Sequence, residues 1–390
     1  MAVVSRLREV AVVRRGNKSD RILLGAIFVL SAIGLMMIYS ATRSSGTFSM
    51  ERQMIFVAAG LIMLLIFSNI DYREYRVMLP IISIVTLVLL GAVFLFDPVS
   101  DGGVGQAYRW IPLGFFNLQP SEFAKVVVIL VLASLLAPER NSDEPPSRQL
   151  SWKKLAMALL VVGVPGVLIY EQPDLGTALV FGFVLIVLVF AAGATWRQML
   201  TLIGAAVGGA VAVFQLGLLS SYQLSRIQCL FDPSSDVTGA CYQLTQSMRA
   251  IGSGQLLGKG FLADQSMTSF EYVPEQQTDF IFTAVAEQFG LFGSLVVLAA
   301  FAVIIWRLLV ISAHARDRFG ALIAVGVAAM IMFHVFVNVG MTVGIMPVTG
   351  IPLPFLSQGG SFYMAMALAL GVANSVWLMR TPVPSENQLL

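Results

Sequence analysis

Asp279 closes a polar run, Glu275-Gln276-Gln277-Thr278-Asp279, directly ahead of the apolar Phe280-Ile281-Phe282. A carboxylate so placed has two readings. It caps a helix that begins there, since Asp accepts the orphan N–H groups of a first turn. Alternatively, partial burial tunes it into a base able to take the proton of a sugar hydroxyl. Glu122 and Lys125 are three apart, share one helix face and can pair. The pair either neutralises two costly charges or tunes a cavity. Asp174, in a Pro-Asp-Leu-Gly turn, again reads as a cap or as part of a site. Arg52, Arg109, Arg249 and Lys259 are cations suited to phosphate or diphosphate, a reading set against generic contact with lipid headgroups. Glu287 lies two turns further along and requires a partner that the sequence does not name. A lone His334 on an apolar helix with Met330 and Met332 reads as a satisfied packing residue.

The elements that position these residues follow from composition. Of 390 residues, 57% are hydrophobic and 12% charged, and mean hydropathy is +0.83. Soluble proteins carry about 25% charged residues, so the chain is read as an all-α polytopic membrane protein. Apolar runs with few or no charges, set against the roughly 20 residues that a crossing needs, place spans at 22–42, 53–70, 77–96, 120–137 (interrupted by Glu122 and Lys125), 155–170, 175–196, 198–225 (longer than one crossing requires) and 279–306 (with Glu287 inside it). Residues 319–379 hold no Asp, Glu, Lys or Arg, which is enough for two more spans around a break at 344–360. Ten helices are expected in one domain, 22–380, after a basic segment 1–21 and before a short tail 381–390. Alternate connections divide the Lys and Arg residues into 17 and six, which puts both termini in the cytoplasm. Arg6, Arg8, Arg14, Arg15 and Lys18 then hold the first helix against anionic membrane lipids. The first run has no small-residue cleavage site after it and is expected to be retained.

Each polar or proline-rich cluster then falls at the outward end of a span: Arg109-Trp110-Ile111, Pro120-Ser121-Glu122, Gln172-Pro173-Asp174, the run ending at Asp279, and Gly350-Ile351-Pro352-Leu353-Pro354. Such convergence points to one site near the outer interface. Beside it runs a long connection, 221–278, with helical character at 242–251 and a glycine-rich turn after it. Cys229 and Cys241 lie in this connection, on the oxidising side, where a disulfide can form. Two cysteines and two histidines exclude a disulfide scaffold and a His/Cys metal cluster. No P-loop, dinucleotide fingerprint or zinc-protease motif occurs. A net charge of +2 without a basic stripe leaves no nucleic-acid partner.

Six motifs, in order over residues 20–380, resemble the shape, elongation, division and sporulation (SEDS) family. They are Arg109-Trp-Ile, Pro120-Ser-Glu, Gln172-Pro-Asp-Leu-Gly-Thr-Ala, Pro274-Glu-Gln-Gln-Thr-Asp-Phe-Ile-Phe, Asn338-Val-Gly, and Gly350-Ile-Pro-Leu-Pro-Phe-Leu-Ser357 followed by Gly359-Gly360. The detail is closer to elongation-type than to division-type members. The resemblance implies a peptidoglycan glycosyltransferase that polymerises lipid II at the outer face of the cytoplasmic membrane. It implies a class B penicillin-binding protein, a transpeptidase, as partner, together with the cell-elongation machinery. Asp279 takes the position of the family's essential aspartate, and Glu122 with Lys125 that of its buried ion pair. Asp174, Glu275, Gln277, Thr278, Glu287, Asn338, Pro352, Pro354 and Ser357 are expected to support the site. No resident cofactor is expected, although a divalent cation, Mg or Mn, could share the neutralisation of a diphosphate. Two positions depart: Gln277 stands where many members have His, and Gln358 where Tyr is common. A mechanism that needs that imidazole as a proton relay has none here. The competing classes are a lipid II flippase, which would use the polar interior for alternating access, and a non-catalytic scaffold for the transpeptidase.

Overall fold

The computed structural model describes residues 18–43, 49–97, 99–100, 106–137, 150–217, 221–233, 236, 239 and 241–380. The basic residues before Lys18 and the tail 381–390 lie outside the described residues.

Helices dominate because the apolar runs must satisfy their own backbone groups in lipid. In chain order they are α1 (Arg21–Thr42), α2 (Ser49–Asn69), α3 (Tyr72–Ala92), α4 (Pro120–Leu136), α5 (Trp152–Glu171), α6 (Leu175–Ala191), α7 (Trp196–Gln215), α8 (Ser221–Phe231), α9 (Tyr242–Gly254), α10 (Ile281–Ala313), α11 (Arg318–Thr342) and α12 (Gly360–Leu378). Local chemistry sets several starts. Asp20 accepts from the Ile22 and Leu23 N–H groups, and Thr195 with Gln198 forms a capping box. Between α3 and α4 the chain makes two short antiparallel pairs, β1 (Val99–Ser100) with β2 (Gln106–Ala107) and β3 (Ile111–Pro112) with β4 (Asn117–Leu118).

Among the described residues, eight helices are long and apolar enough to cross a membrane: α1, α2, α3, α5, α7, α10, α11 and α12. The helices at the other two expected spans, α4 and α6, have 17 residues each. One expected span divides. Residues 198–225 do not form a single helix: α7 ends at Gln215, Gly217 turns the chain at φ 65°, and α8 starts separately at Ser221.

Burial orders the bundle. The apolar stretch of α12 is 83% buried and that of α11 67%, against 17% for α2, α3 and α7. The first two are therefore central. The others turn apolar side chains such as Val77 and Trp196 outward, as lipid-facing helices do. Gly34 lets α1 approach the segment before α12, for a Cβ there would stand 2.4 Å from the Phe355 carbonyl oxygen.

Helix α10 is broken at Gly290 (φ 63°, ψ −157°), and the glycine-rich turn after α9 fills the break. The carbonyls of Glu287 and Gln288 accept from the N–H groups of Lys259 and Gly260, at 2.9 and 3.0 Å. In return, Leu291 and Phe292 donate to the carbonyls of Gln255 and Leu256. The connection thus borrows the helix's own hydrogen-bonding groups, which fastens it to α10. A second small core lies under it, where the bonded pair Cys229–Cys241 packs with Leu244, Val273, Phe280, Met341 and Val348.

Candidate active site

Asp279 sits in a compact turn. The Glu275 carbonyl accepts from the N–H groups of Thr278, Asp279 and Phe280, at 3.2, 3.1 and 3.4 Å. The Thr278 hydroxyl donates to the same carbonyl and to Glu275 Oε2. Helix α10 takes Phe280 as its N-cap, with no side-chain cap. The N-cap position thus falls on Phe280 rather than on Asp279, which is half-buried. Two polar residues hold the turn. Fully buried Asn338 on α11 donates through Nδ2 to the carbonyls of Asp279 (2.8 Å) and Ile351 (2.7 Å). The Gln277 carbonyl accepts from the Gln358 N–H at 2.8 Å, so the two positions that depart from the family pattern meet. Gly350 faces the carboxylate closely, since a Cβ there would lie 3.2 Å from Asp279 Oδ2. The segment carrying half-buried Pro352 and buried Pro354 is fixed by Ser357. Its Oγ accepts from Leu353 N–H at 2.8 Å, and its N–H returns to the Leu353 carbonyl.

A second cluster adjoins through the start of α12. Ser361 accepts from Gln119 N–H (3.1 Å) and donates to the Asn117 carbonyl (2.9 Å), tying α12 to the start of α4. Asp174 caps α6 by accepting from Thr177 N–H at 3.0 Å, and the buried Ser121 hydroxyl donates to its other oxygen at 3.3 Å. Its cap and site readings are thus compatible. Arg109 donates to the carbonyls of Gln172 and Pro173, beside that cap. Helices α4, α10 and α12 all begin here without a side-chain cap. Their first turns direct backbone N–H groups and positive dipole ends toward this region. Buried oxygens of Gln172, Asn338 and Gln358 have no hydrogen-bond partner among the described residues.

Two ion pairs support this end. Lys125 Nζ lies 2.6 Å from Glu122 Oε2, both side chains being almost fully buried. The third member of that cluster is His334, with Nε2 at 3.2 Å from the same nitrogen. The partner of Glu287 is Lys259, at 2.8 Å. Fully buried Glu287 also accepts from Met267 N–H (2.6 Å), Thr268 N–H (3.0 Å) and the Thr268 hydroxyl (2.7 Å). It therefore pins the connection to α10 eight residues after Asp279. Lys259 is engaged in this lock rather than displayed at the site. Arg52 on α2 and Arg249 on α9 are exposed and stand outside these clusters.

Sequence reasoning does not single out Gln119, Ser121, Gln276 or Ser361, and it reads His334 as a packing residue only. Gln276, buried, bridges the hydroxyls of Thr268 and Thr283 at 3.1 and 2.9 Å. Its place in the polar run ending at Asp279 was the available signal. Ser121 lies inside the Pro120-Ser-Glu motif, whereas nothing local marks Ser361 or the second contact of His334.

Comparison with known proteins bears on this arrangement. The family model described as "Cell cycle protein", for FtsW, RodA and SpoVE, matches residues 20–380. The chain is 37% identical over 358 residues to the "Peptidoglycan glycosyltransferase MrdB" of Escherichia coli (strain K12), covering 91% of each chain. Among solved structures, it matches a chain of one described as "Structural coordination of polymerization and crosslinking by a peptidoglycan synthase complex". The TM-score is 0.76 and the identity 27%, over 92% of this chain and 98% of that one. It also matches the Rod shape determining protein RodA of Thermus thermophilus with a TM-score of 0.67 and 26% identity, over 94% and 99%.

Proposed function

The chain belongs to the FtsW, RodA and SpoVE family of cell cycle proteins, and from that premise we propose how its site works as a peptidoglycan glycosyltransferase in cell-wall synthesis. The substrate is lipid II, a disaccharide-pentapeptide on undecaprenyl diphosphate, and the product is a glycan strand. Asp279 is the base. It takes the proton of the acceptor's 4-hydroxyl as that oxygen attacks the donor's anomeric carbon. The bond from that carbon to the diphosphate oxygen breaks, and undecaprenyl diphosphate leaves with the electron pair. The observation that carries the reading is the placement of Asp279. It is half-buried, held by Asn338 and the Glu275 turn, and lies just ahead of the N-cap position of α10.

Leaving-group charge is met by preorganised positive ends. The uncapped starts of α4, α10 and α12 supply N–H groups. Arg109, set beside the Asp174 cap, supplies a guanidinium group, while Lys259 stays with Glu287. No group of three or more His, Cys, Asp or Glu gathers as a metal cage among the described residues. Asp279, with Glu275 in the same turn, fits a divalent ion of the kind held by one or two carboxylates plus substrate phosphates. Mg or Mn bound there would supply charge neutralisation at the diphosphate.

The same reading places this end of the bundle outside the cytoplasmic membrane, with both termini inside and α4 and α6 completing ten crossings. Two observations support it: the division of Lys and Arg between connections, and the disulfide joining α8 to the start of α9. The partner is a class B penicillin-binding protein in the elongation machinery, a choice supported by the likeness to a peptidoglycan synthase complex and to a rod-shape protein.

Purified protein, reconstituted with its penicillin-binding partner in lipid vesicles and given lipid II, is expected to yield glycan strands. Movement of lipid II between leaflets without strands would favour the flippase, and partner binding with neither activity would favour the scaffold.

A further inference from the structure

Helix α11 carries two polar side chains one turn apart on one face, His334 and Asn338, both fully buried. Asn338 clasps the Asp279 turn. His334 faces α4. Its Nδ1 lies 2.7 Å from the Met330 carbonyl oxygen, and a carbonyl only accepts, so Nδ1 carries the proton. In a neutral ring Nε2 is then an acceptor, and the group beside it, at 3.2 Å, is the ammonium of Lys125. Glu122 Oε2 holds the same ammonium at 2.6 Å, and the Phe362 ring of α12 lies 5.4 Å from it. One cation thus joins α4, α11 and α12 below the site.

We propose that His334 is a positioning residue for the transfer reaction. By accepting from Lys125 it fixes the first turn of α4 against the same helix that holds Asp279. That turn carries Ser121, the donor to Asp174, and adjoins Gln119, whose N–H reaches Ser361 of α12. Removing the acceptor leaves a Lys125 donor unsatisfied in an apolar surround and frees α4 to shift relative to α11. The inference rests on the glycosyltransferase reading for its effect on rate. The contact itself does not.

The two histidines of the chain are His314, exposed, and His334, buried, so nitrogen-15 histidine labelling gives two separable rings. The expected spectrum shows His334 neutral with Nδ1 protonated, and its Nε2 resonance moves in Lys125→Met. A ring protonated on Nε2, or a resonance indifferent to Lys125→Met, would overturn the contact. For the rate, His334→Phe is expected to lower kcat on the order of tenfold or more, because misplacement by about 1 Å can cost up to 100-fold. KM should stay within about twofold, as expected when an interaction serves the transition state rather than uniform binding. His334→Gln, which keeps an acceptor, should recover most of the loss. Full activity in both variants, or equal loss in both, would overturn the positioning role. If His334→Phe does not accumulate, His334→Leu tests the same absence. Wild type without product would sink the polymerase reading, and the spectrum would still decide whether His334 holds Lys125.

Discussion

Replacing Glu287 by Gln perturbs the lock between α10 and the long connection without changing its size. The carboxylate accepts four bonds at 3.0 Å or less, from Lys259 Nζ, Met267 N–H, Thr268 N–H and Thr268 Oγ1. Its amide counterpart keeps one accepting oxygen and points an NH2 at two of these donors. Two charge-assisted bonds are lost, at about 1.5–3 kcal/mol each, or roughly 3–6 kcal/mol together. The Lys259 side chain is 29% exposed, so water recovers part of its share and the lower end, about 3 kcal/mol, is expected. At about 1.4 kcal/mol per decade, local opening becomes on the order of 100-fold more frequent. Amide hydrogen exchange, read by mass spectrometry on the peptide containing Met267 and Thr268, measures that opening in the intact protein. Exchange within about threefold of wild type, on the same scale, would refute the lock.

Other perturbations reach different parts of the account. Gly34→Ala drives a Cβ to within 2.4 Å of a backbone oxygen at Phe355. Overpacking of that kind costs about 1–3 kcal/mol, which should appear as a lower melting temperature of the purified protein. Asn338→Leu orphans the carbonyls of Asp279 and Ile351, at about 1–3 kcal/mol each. Strand synthesis by the inserted variant is expected to fall more than tenfold, on the order expected for a misplaced group. The double change Cys229→Ser with Cys241→Ser removes a bridge of sequence separation 12, worth about 3 kcal/mol. Protease cleavage between α8 and α9 should then be faster than in the oxidised wild type, and equal cleavage would show that the bridge does not hold this region.

The sequence revealed the elements because charge is so costly in a bilayer that its absence outlines a span. It placed helix ends less well. The run 198–225 looked continuous because Gly217 is apolar in composition, yet the backbone turns there. The Glu122–Lys125 pair was legible because helix geometry brings residues three apart together. The Glu287–Lys259 pair was not, since 28 residues separate them and the contact forms only when the glycine-rich turn enters the break at Gly290. His334 was read as a packing residue, and it does satisfy itself on Met330. Its second nitrogen meets Lys125 from another helix, a contact without local signature. Asp279 had two readings that sequence could not separate. The structure puts the N-cap position on Phe280, which answers the cap reading and leaves the base reading to experiment.

The most direct test of the central claim compares wild type with Asp279→Asn, each reconstituted with the penicillin-binding partner and supplied with purified lipid II. The substitution preserves shape and removes the proton acceptor. The account predicts glycan strands from wild type and loss of nearly all product from Asp279→Asn, with insertion and partner binding unchanged. Equal strand synthesis by the two proteins would contradict it and move the base elsewhere.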